Sequence, residues 1–395
     1  MKPLTLIMSL PGYEPNPAQT RLTKKLLEGV SEYAKYWPGK VALILPKGEV
    51  NSGNLDDIIT EKSSLSFSVE VLDFSTSDLR KKVADSGLVL CGSHPSASGL
   101  AEHCKLQRIP YIHVAELTLK TRLQILKSEV KNPLNLLKKI IWEIREEHRT
   151  INKIKHASGI QCNGTPTYKS YKSHNKEALL YFDNRIYPNM LSSTEKIANK
   201  YAFRTPKSPL QLAFSGRLNR IKGAQYLIPI AKELRRRNFQ FHLHIFGDGE
   251  LKKNIIKKIH LEKLQDNITY HGAVDFRESL IPFISNNIDI FLCTHTQGDP
   301  SCTYIETFAC GVPILGFSNE ALEGILEKYP CGWSTPIGNI EKIAMKLEAL
   351  QNDISTVENC AKSALKFATE NTFDITFSNR INHMIRLSQQ FSAEK

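Results

Sequence analysis

Short apolar runs recur along the chain, and between them lie longer stretches in which apolar residues return every three or four positions. In the first half "LTLIMS", "KVALILP", "GLVLCG" and "IPYIHVA" predict strands, and "QTRLTKKLLEGVSEYAKYW" predicts an amphipathic helix. In the second half "LQLAFSG", "FHLHIFG", "NITYHG", "DIFLCT" and "VPILGF" predict strands, with "AQYLIPIAKELRRRN" and "LKKNIIKKIHLEKL" as helices between them. Strands that alternate with helices predict an α/β fold with parallel strands, one open sheet in each half. The connector is "YAFRTPKSPL", residues 201–210, whose two prolines favour extended backbone. Domains of 1–200 and 201–372 follow, and "FDITFSNRINHMIRLSQQF", residues 373–391, is helical in pattern. No internal repeat or low-complexity tract is visible.

Composition agrees with two domains, because 395 residues at 41% apolar content exceed what a single core usually accommodates. No apolar run approaches the roughly 20 residues of a membrane span. The start, "MKPLTLIMSLPGY", is broken by Pro11 and Gly12 too early for a secretory signal, so a cytoplasmic location is expected. Eight cysteines are scattered without a C-x-x-C pair and read as reduced, mostly buried thiols. The net charge of +12 would suit nucleic acid, but no recognition motif accompanies it. An anionic membrane surface or bound phosphates suit it as well.

Ligands of open parallel sheets bind beyond the carboxyl ends of the strands. "SGRLNRIKG" follows a strand and carries Arg217 and Lys222, which read either as a phosphate grip or as a solvated loop shaped by Gly216 and Gly223. In "TQGDPSCTYIETFACGVPI", residues 296–314, Asp299 reads as an N-cap, Pro300 as the first helical residue, and Gly311 with Pro313 as the stop. That predicts a helix from about 300 to 310 with amides near Ser301, Cys302 and Thr303 aimed at an anion such as a diphosphate. Glu306, one turn deeper, can accept two hydrogen bonds from the vicinal hydroxyls of a ribose. Cationic pair, helix start and carboxylate together describe a nucleotide diphosphate pocket.

With these residues in place, the sequence resembles the GT-B glycosyltransferases of group 1, or family four, which are typically retaining enzymes with nucleotide-sugar donors. The resemblance is strongest over about 212–340 and rests on "FSGRLNRIKGAQYLI", "LHIFGDGELKKNI", "ITYHGAV" and "GDPSCTYIETFACGVPILGF" in order. It implies two Rossmann-like domains facing each other across a cleft, the first binding the acceptor and the second the donor. It also implies that Arg217 and Lys222 hold the donor diphosphate and Glu306 the ribose. Gly216, Gly247 and Gly249 would line the donor, and Val274 would face the base. The expected activity is transfer of a hexose-type sugar to a glycan or lipid-linked acceptor in polysaccharide or glycolipid biosynthesis. Without a D-x-D in a suitable place, no metal or other cofactor is expected. A sugar-nucleotide epimerase and a non-catalytic sugar-nucleotide-binding protein are the alternatives.

The chain departs from the family pattern E-x(7)-E, whose first glutamate would stand at Gly298. Asp299 either substitutes for it or only caps the helix. In the first domain, "LPGYEPNPAQTR" sits where relatives carry a glycine-rich loop over the donor phosphates, and Gly12 is its lone glycine. Where relatives place a histidine beside the reacting sugar this chain has Glu116, expected near the chemistry, with His113 and His94 as runners-up.

Residues 120–149 carry eight Lys or Arg against four Glu, with apolar residues near helical spacing and a break at Pro133. The segment reads as a helix packed on its own domain, or as one that docks on anionic lipid near a lipid-linked acceptor. By resemblance, the last segment, 373–395, crosses back to the first domain.

Overall fold

The computed structural model describes residues 2–49, 57–72, 74, 76–202 and 204–393. The chain divides into two compact units: Met1–Leu119 with Leu137–Tyr181 and Phe377–Lys395, and Lys120–Leu136 with Phe182–Thr376.

The first unit contains strands β1 (Leu4–Ile7), β2 (Gln19–Thr23), β3 (Val41–Pro46), β4 (Asp57–Glu61), β5 (Ser68–Leu72), β6 (Leu88–Cys91), β7 (Tyr111–Ala115), β8 (Gly159–Asn163) and β9 (Ala178–Tyr181). Among the described residues, seven of them form a sheet in the order β5-β3-β1-β6-β7-β8-β9. All its pairings are parallel. Its central strands β1, β6, β7 and β8 are buried along their whole length, as parallel strands covered by helices must be. Strand β8 escaped the pattern because it contains Gln161 and Asn163. Gln161 is tolerated there because its side chain bonds Arg380, accepting from Nε at 2.8 Å and donating to the backbone carbonyl at 3.1 Å.

The predicted helix from Gln19 starts later than expected. Gln19–Thr23 pairs antiparallel with Asp57–Glu61, and the helix Lys24–Tyr36 begins after Thr23, whose hydroxyl accepts the Leu26 amide at 3.1 Å.

The second unit contains β10 (Leu210–Ser215), β11 (Phe241–Phe246), β12 (Ile268–Gly272), β13 (Ile290–Cys293), β14 (Ile314–Phe317) and β15 (Gly332–Thr335). They form a parallel sheet in the order β12-β11-β10-β13-β14-β15, the doubly wound order of a Rossmann fold. Strand order reverses between β10 and β13, so the loops leaving these two strands flank a topological switch point. In the first sheet the corresponding reversal lies between β1 and β6.

The boundary between units lies at Tyr181/Phe182 rather than 200/201. The helix Thr194–Ala202 belongs to the second unit because Ile197 and Tyr201 enter its core. The Tyr201 hydroxyl also donates to the Asp289 carbonyl at 3.0 Å. At the other end, the helix Phe373–Ala393 starts on the second unit, where the Phe373 amide donates to Ile186 at 2.7 Å. From Phe377 onward it belongs to the first, with Phe377 against Tyr33 and the Ser388 hydroxyl on the Gly87 carbonyl.

The basic segment is two helices, Leu119–Glu129 and Pro133–His156. The Asn132 side chain accepts the amides of Leu134 and Asn135, which restarts the helix with proline in its first turn. Residues 120–136 group with the second unit, which the sequence pattern did not suggest.

Candidate functional site

The loop leaving β10 is pressed onto the end of β13 by a close backbone approach. Gly223 has φ of 72°, and a Cβ there would stand 1.7 Å from the Thr294 carbonyl oxygen, so only glycine fits. The Thr294 hydroxyl donates to the Gly223 carbonyl at 3.0 Å, and the Thr296 amide donates to Ile221 at 3.2 Å. This fixes Lys222 against the loop after β13. Its ammonium lies 2.9 Å from Asp299 Oδ2 and donates to Ser301 Oγ at 3.2 Å.

Burial pushes the Asp299 carboxyl up, but Lys222 and then His295 outweigh it, and the net shift is below the usual carboxylate range. His295 itself is held neutral, pushed down to about 3 by burial and then by Lys222. Arg217, earlier in the same loop, is exposed and has no side-chain partner among the described residues. One predicted cation is thus tied to a carboxylate and the other is open to an anion.

The helix expected from 300 to 310 is shorter. It spans Thr303–Ala309, with Cys302 at the N-cap and no side-chain cap. Asp299 lies three residues too early to cap it and is engaged by Lys222 instead, while Pro300 is outside the helix. Tyr304, Ile305, Phe308 and Ala309 are buried and Glu306 lies on the remaining face. Glu306 is not without a countercharge: Arg185 Nε donates to its Oε1 at 2.9 Å, and the Arg185 guanidinium stacks 3.6 Å from the centre of the Phe276 ring. Nothing local in "DNRIYPN" signals that partnership across 121 positions of sequence. Cys302 Sγ sits 4.0 Å from Asp183 Oδ2.

Gly216, Gly247 and Gly249 meet at the edge of the sheet. A Cβ on Gly247, at φ of 119°, would lie 2.0 Å from the Gly216 carbonyl oxygen, and one on Gly249 would lie 2.7 Å from that of Leu218. The Leu218 amide donates to Asp248 at 2.8 Å, and the Gly247 amide to Gly272 at 2.7 Å. The result is a surface of bare backbone beside Arg217, with Val274 exposed after β12.

In the first unit, Glu116 follows β7 directly and is held by both oxygens. Asn163 at the end of β8 donates at 3.0 Å and the Tyr181 hydroxyl at the end of β9 at 3.2 Å. His113 is fully buried within β7, where burial and then Lys153 push it down to about 3; its Nε2 lies 3.5 Å from Ser93 Oγ. His94 packs on Phe74, and its carbonyl accepts from Lys153. Gly12 serves the fold, its amide donating to Pro46 at 2.8 Å and its carbonyl accepting from Gly48 at 2.7 Å. A Cβ there would also meet Leu45 and Val71 at 2.9 Å.

Comparison with known proteins gives concordant findings. Residues 195–367 match the family described as glycosyl transferases group 1. WcaL of Salmonella typhimurium, provisionally named a colanic acid biosynthesis glycosyltransferase, is 24% identical over 163 residues, which are 40% of this chain and 40% of WcaL. An uncharacterized glycosyltransferase of Haemophilus influenzae is 26% identical over 225 residues, 55% of this chain and 61% of the relative. The chain therefore spans less than two thirds of either relative. Among solved structures, Anabaena Alr3699/HepE in complex with UDP superposes with a TM-score of 0.64 at 14% identity, covering 100% of this chain and 99% of that one. The same Anabaena protein is also known in complex with UDP-glucose. Residues 195–367 are thus similar to the glycosyl transferases group 1, and the chain's two Rossmann-like units are those of the GT-B fold.

Proposed function

We propose that the protein is a glycosyltransferase that moves a hexosyl group, with retention, from a nucleotide-diphosphate sugar to a glycan or lipid-linked acceptor in polysaccharide or glycolipid biosynthesis. The observation that carries this reading is the pairing of Lys222 with Asp299 and Ser301, in the same loop as the exposed Arg217, at the switch point of a Rossmann sheet. A donor diphosphate there would exchange the Lys222–Asp299 contact for charge-assisted bonds to phosphate oxygens, and Arg217 would add a bidentate grip. The charge that develops on the leaving diphosphate is what these two cations stabilise in the transition state. Glu306 would take the ribose hydroxyls as Arg185 gives way, and the backbone surface of Gly216, Gly247 and Gly249 with Val274 would receive the rest of the nucleotide. Glu116, held rigid by Asn163 and Tyr181, is the first unit's candidate for contact with the reacting groups. The UDP and UDP-glucose bound by the Anabaena neighbour support a nucleotide sugar as donor.

A thermal-shift panel of UDP, GDP, ADP, dTDP and CMP tests the donor site. Ligand at about 100 times its dissociation constant adds roughly 2.7 kcal/mol, so one nucleotide should raise the melting temperature. No rise with any of them would contradict the reading.

A lipid-linked acceptor draws support from the helix Pro133–His156. No helix among the described residues is long and apolar enough to cross a membrane. This one leaves Leu137, Ile141, Trp142 and Ile144 exposed, with Lys138, Lys139 and Arg145 exposed beside them. Apolar side chains flanked by cations suit the surface of an anionic bilayer. We assign the helix that role.

A further inference from the structure

The loop after β13 contains Gly298, and the structure shows what occupies the space a side chain would take there. A Cβ built on Gly298 would stand 3.0 Å from Glu320 Cβ and 3.1 Å from Glu320 Oε2. Glu320 comes from the loop after the neighbouring strand β14, as the first residue of the helix Glu320–Leu326. Its carboxylate therefore reaches over Gly298, next to the Lys222–Asp299 pair, from a different strand.

That carboxylate is oriented by the helix Leu119–Glu129. Lys120 Nζ lies 2.8 Å from Glu320 Oε1, and one turn further along the helix Gln124 Oε1 accepts the Gly298 amide at 3.3 Å. The two contacts tie both loops to one helix and leave Glu320 Oε2 without a hydrogen-bond partner among the described residues. Asp299 is less suited to the same task, because its side chain is 20% exposed against 38% for Glu320.

We infer that Glu320 is the carboxylate that grips the sugar of the donor, in place of any side chain at position 298. The inference rests on the donor-site reading above. A carboxylate anchored through one oxygen and open at the other accepts hydrogen bonds from the hydroxyls of the transferred hexose and contributes nothing to a nucleoside diphosphate that lacks the hexose. Lys120 is then a positioning residue, acting on the sugar only through Glu320. The competing account, in which Glu320 merely sits in the first turn of its helix and pairs on the surface with Lys120, gives it no sensitivity to the sugar.

The test compares the nucleoside diphosphate that binds best among UDP, GDP, ADP and dTDP with its glucose and mannose conjugates, by calorimetry. In Glu320→Gln, affinity for the nucleoside diphosphate should stay within twofold of the wild type. Affinity for the sugar conjugate should fall about tenfold or more, since a hydrogen bond to a charged group is lost. In Glu320→Gly both the Cβ and the carboxylate over Gly298 are removed, and adding Gly298→Glu should restore part of the lost affinity for the conjugate only. Equal affinity of the wild type and Glu320→Gln for both conjugates would overturn the inference while leaving the donor site intact. A wild-type protein that binds no nucleoside diphosphate would overturn the donor-site reading and this inference with it.

Discussion

Lys222 has two duties at the residue scale, and its removal should show both. It supplies positive charge to the proposed diphosphate, and it compensates a largely buried carboxylate, Asp299. Lys222→Ala should lower kcat/KM at least about tenfold, because a charge-assisted phosphate contact is worth a few kcal/mol in the transition state. It should also lower the melting temperature by a few degrees, since Asp299 is left without its cation. Asp299→Asn in the same background removes the stranded charge and should recover stability without recovering turnover; parallel assays and melting curves separate the two effects. Residue types and spacing made Arg217, Lys222 and Glu306 legible as candidates in the sequence. The groups that hold site residues were not: Arg185 on Glu306, Asn163 and Tyr181 on Glu116, and Glu320 over Gly298 all come from distant strands or loops. Asp299 was misread as a helix cap because D-P after a glycine is a local helix-start signal, and a local signal cannot see a lysine 77 positions away.

At the scale of the element, strands β11 and β12 carry a row of histidines on one face. His242 bonds Thr269 at 2.7 Å, and His244 Nδ1 lies 3.0 Å from His271 Nε2. Burial, then the neighbouring His242 and His271, push His244 down to about 4. In the unfolded chain His244 would titrate near 6.5, so below that pH the unfolded state binds more protons than the folded one. The stabilisation is complete above about pH 6.5 and is lost as pH falls toward 4. Buried His113 and His295, each pushed to about 3, act in the same direction. The melting temperature should therefore decline steadily from pH 6.5 to 4.5, and His244→Asn should flatten part of that slope. A melting temperature unchanged over the range would mean that these imidazoles stay accessible to protons in the fold. The strands legible in the sequence were those of uniform apolar character, such as Leu88–Cys91. Those missed carry polar residues, like Gly159–Asn163, or lie at a sheet edge, like Ser68–Leu72 and Gly332–Thr335.

For the whole molecule, the parallel strands and the division into two units, each with its own open sheet, followed from the alternation of strand and helix. Their boundaries did not, because Ile197 and Tyr201 join the second core through tertiary packing that no linker composition reveals. The reassignment of residues 120–136 is equally invisible locally, since it depends on Lys120 and Gln124 meeting loops some 170 to 200 positions later. The exposed face of the helix Pro133–His156 gives the molecule a candidate membrane side. Co-sedimentation with vesicles rich in anionic phospholipid should exceed that with neutral vesicles, and charge reversal at Lys138 and Lys139 should abolish the difference. Equal binding of wild type and variant would remove the membrane from the account. The proposed function stands on transfer of sugar from a nucleotide donor. The most direct measurement is the fate of sugar-labelled UDP-, GDP-, ADP- and dTDP-hexoses incubated with the protein and a bacterial envelope lipid extract. The account predicts that label from one donor enters the lipid or glycan fraction, that the new linkage keeps the donor's anomeric configuration, and that Lys222→Ala lowers incorporation at least about tenfold. Isomerised donor with no incorporation, or incorporation indifferent to Lys222, would contradict it.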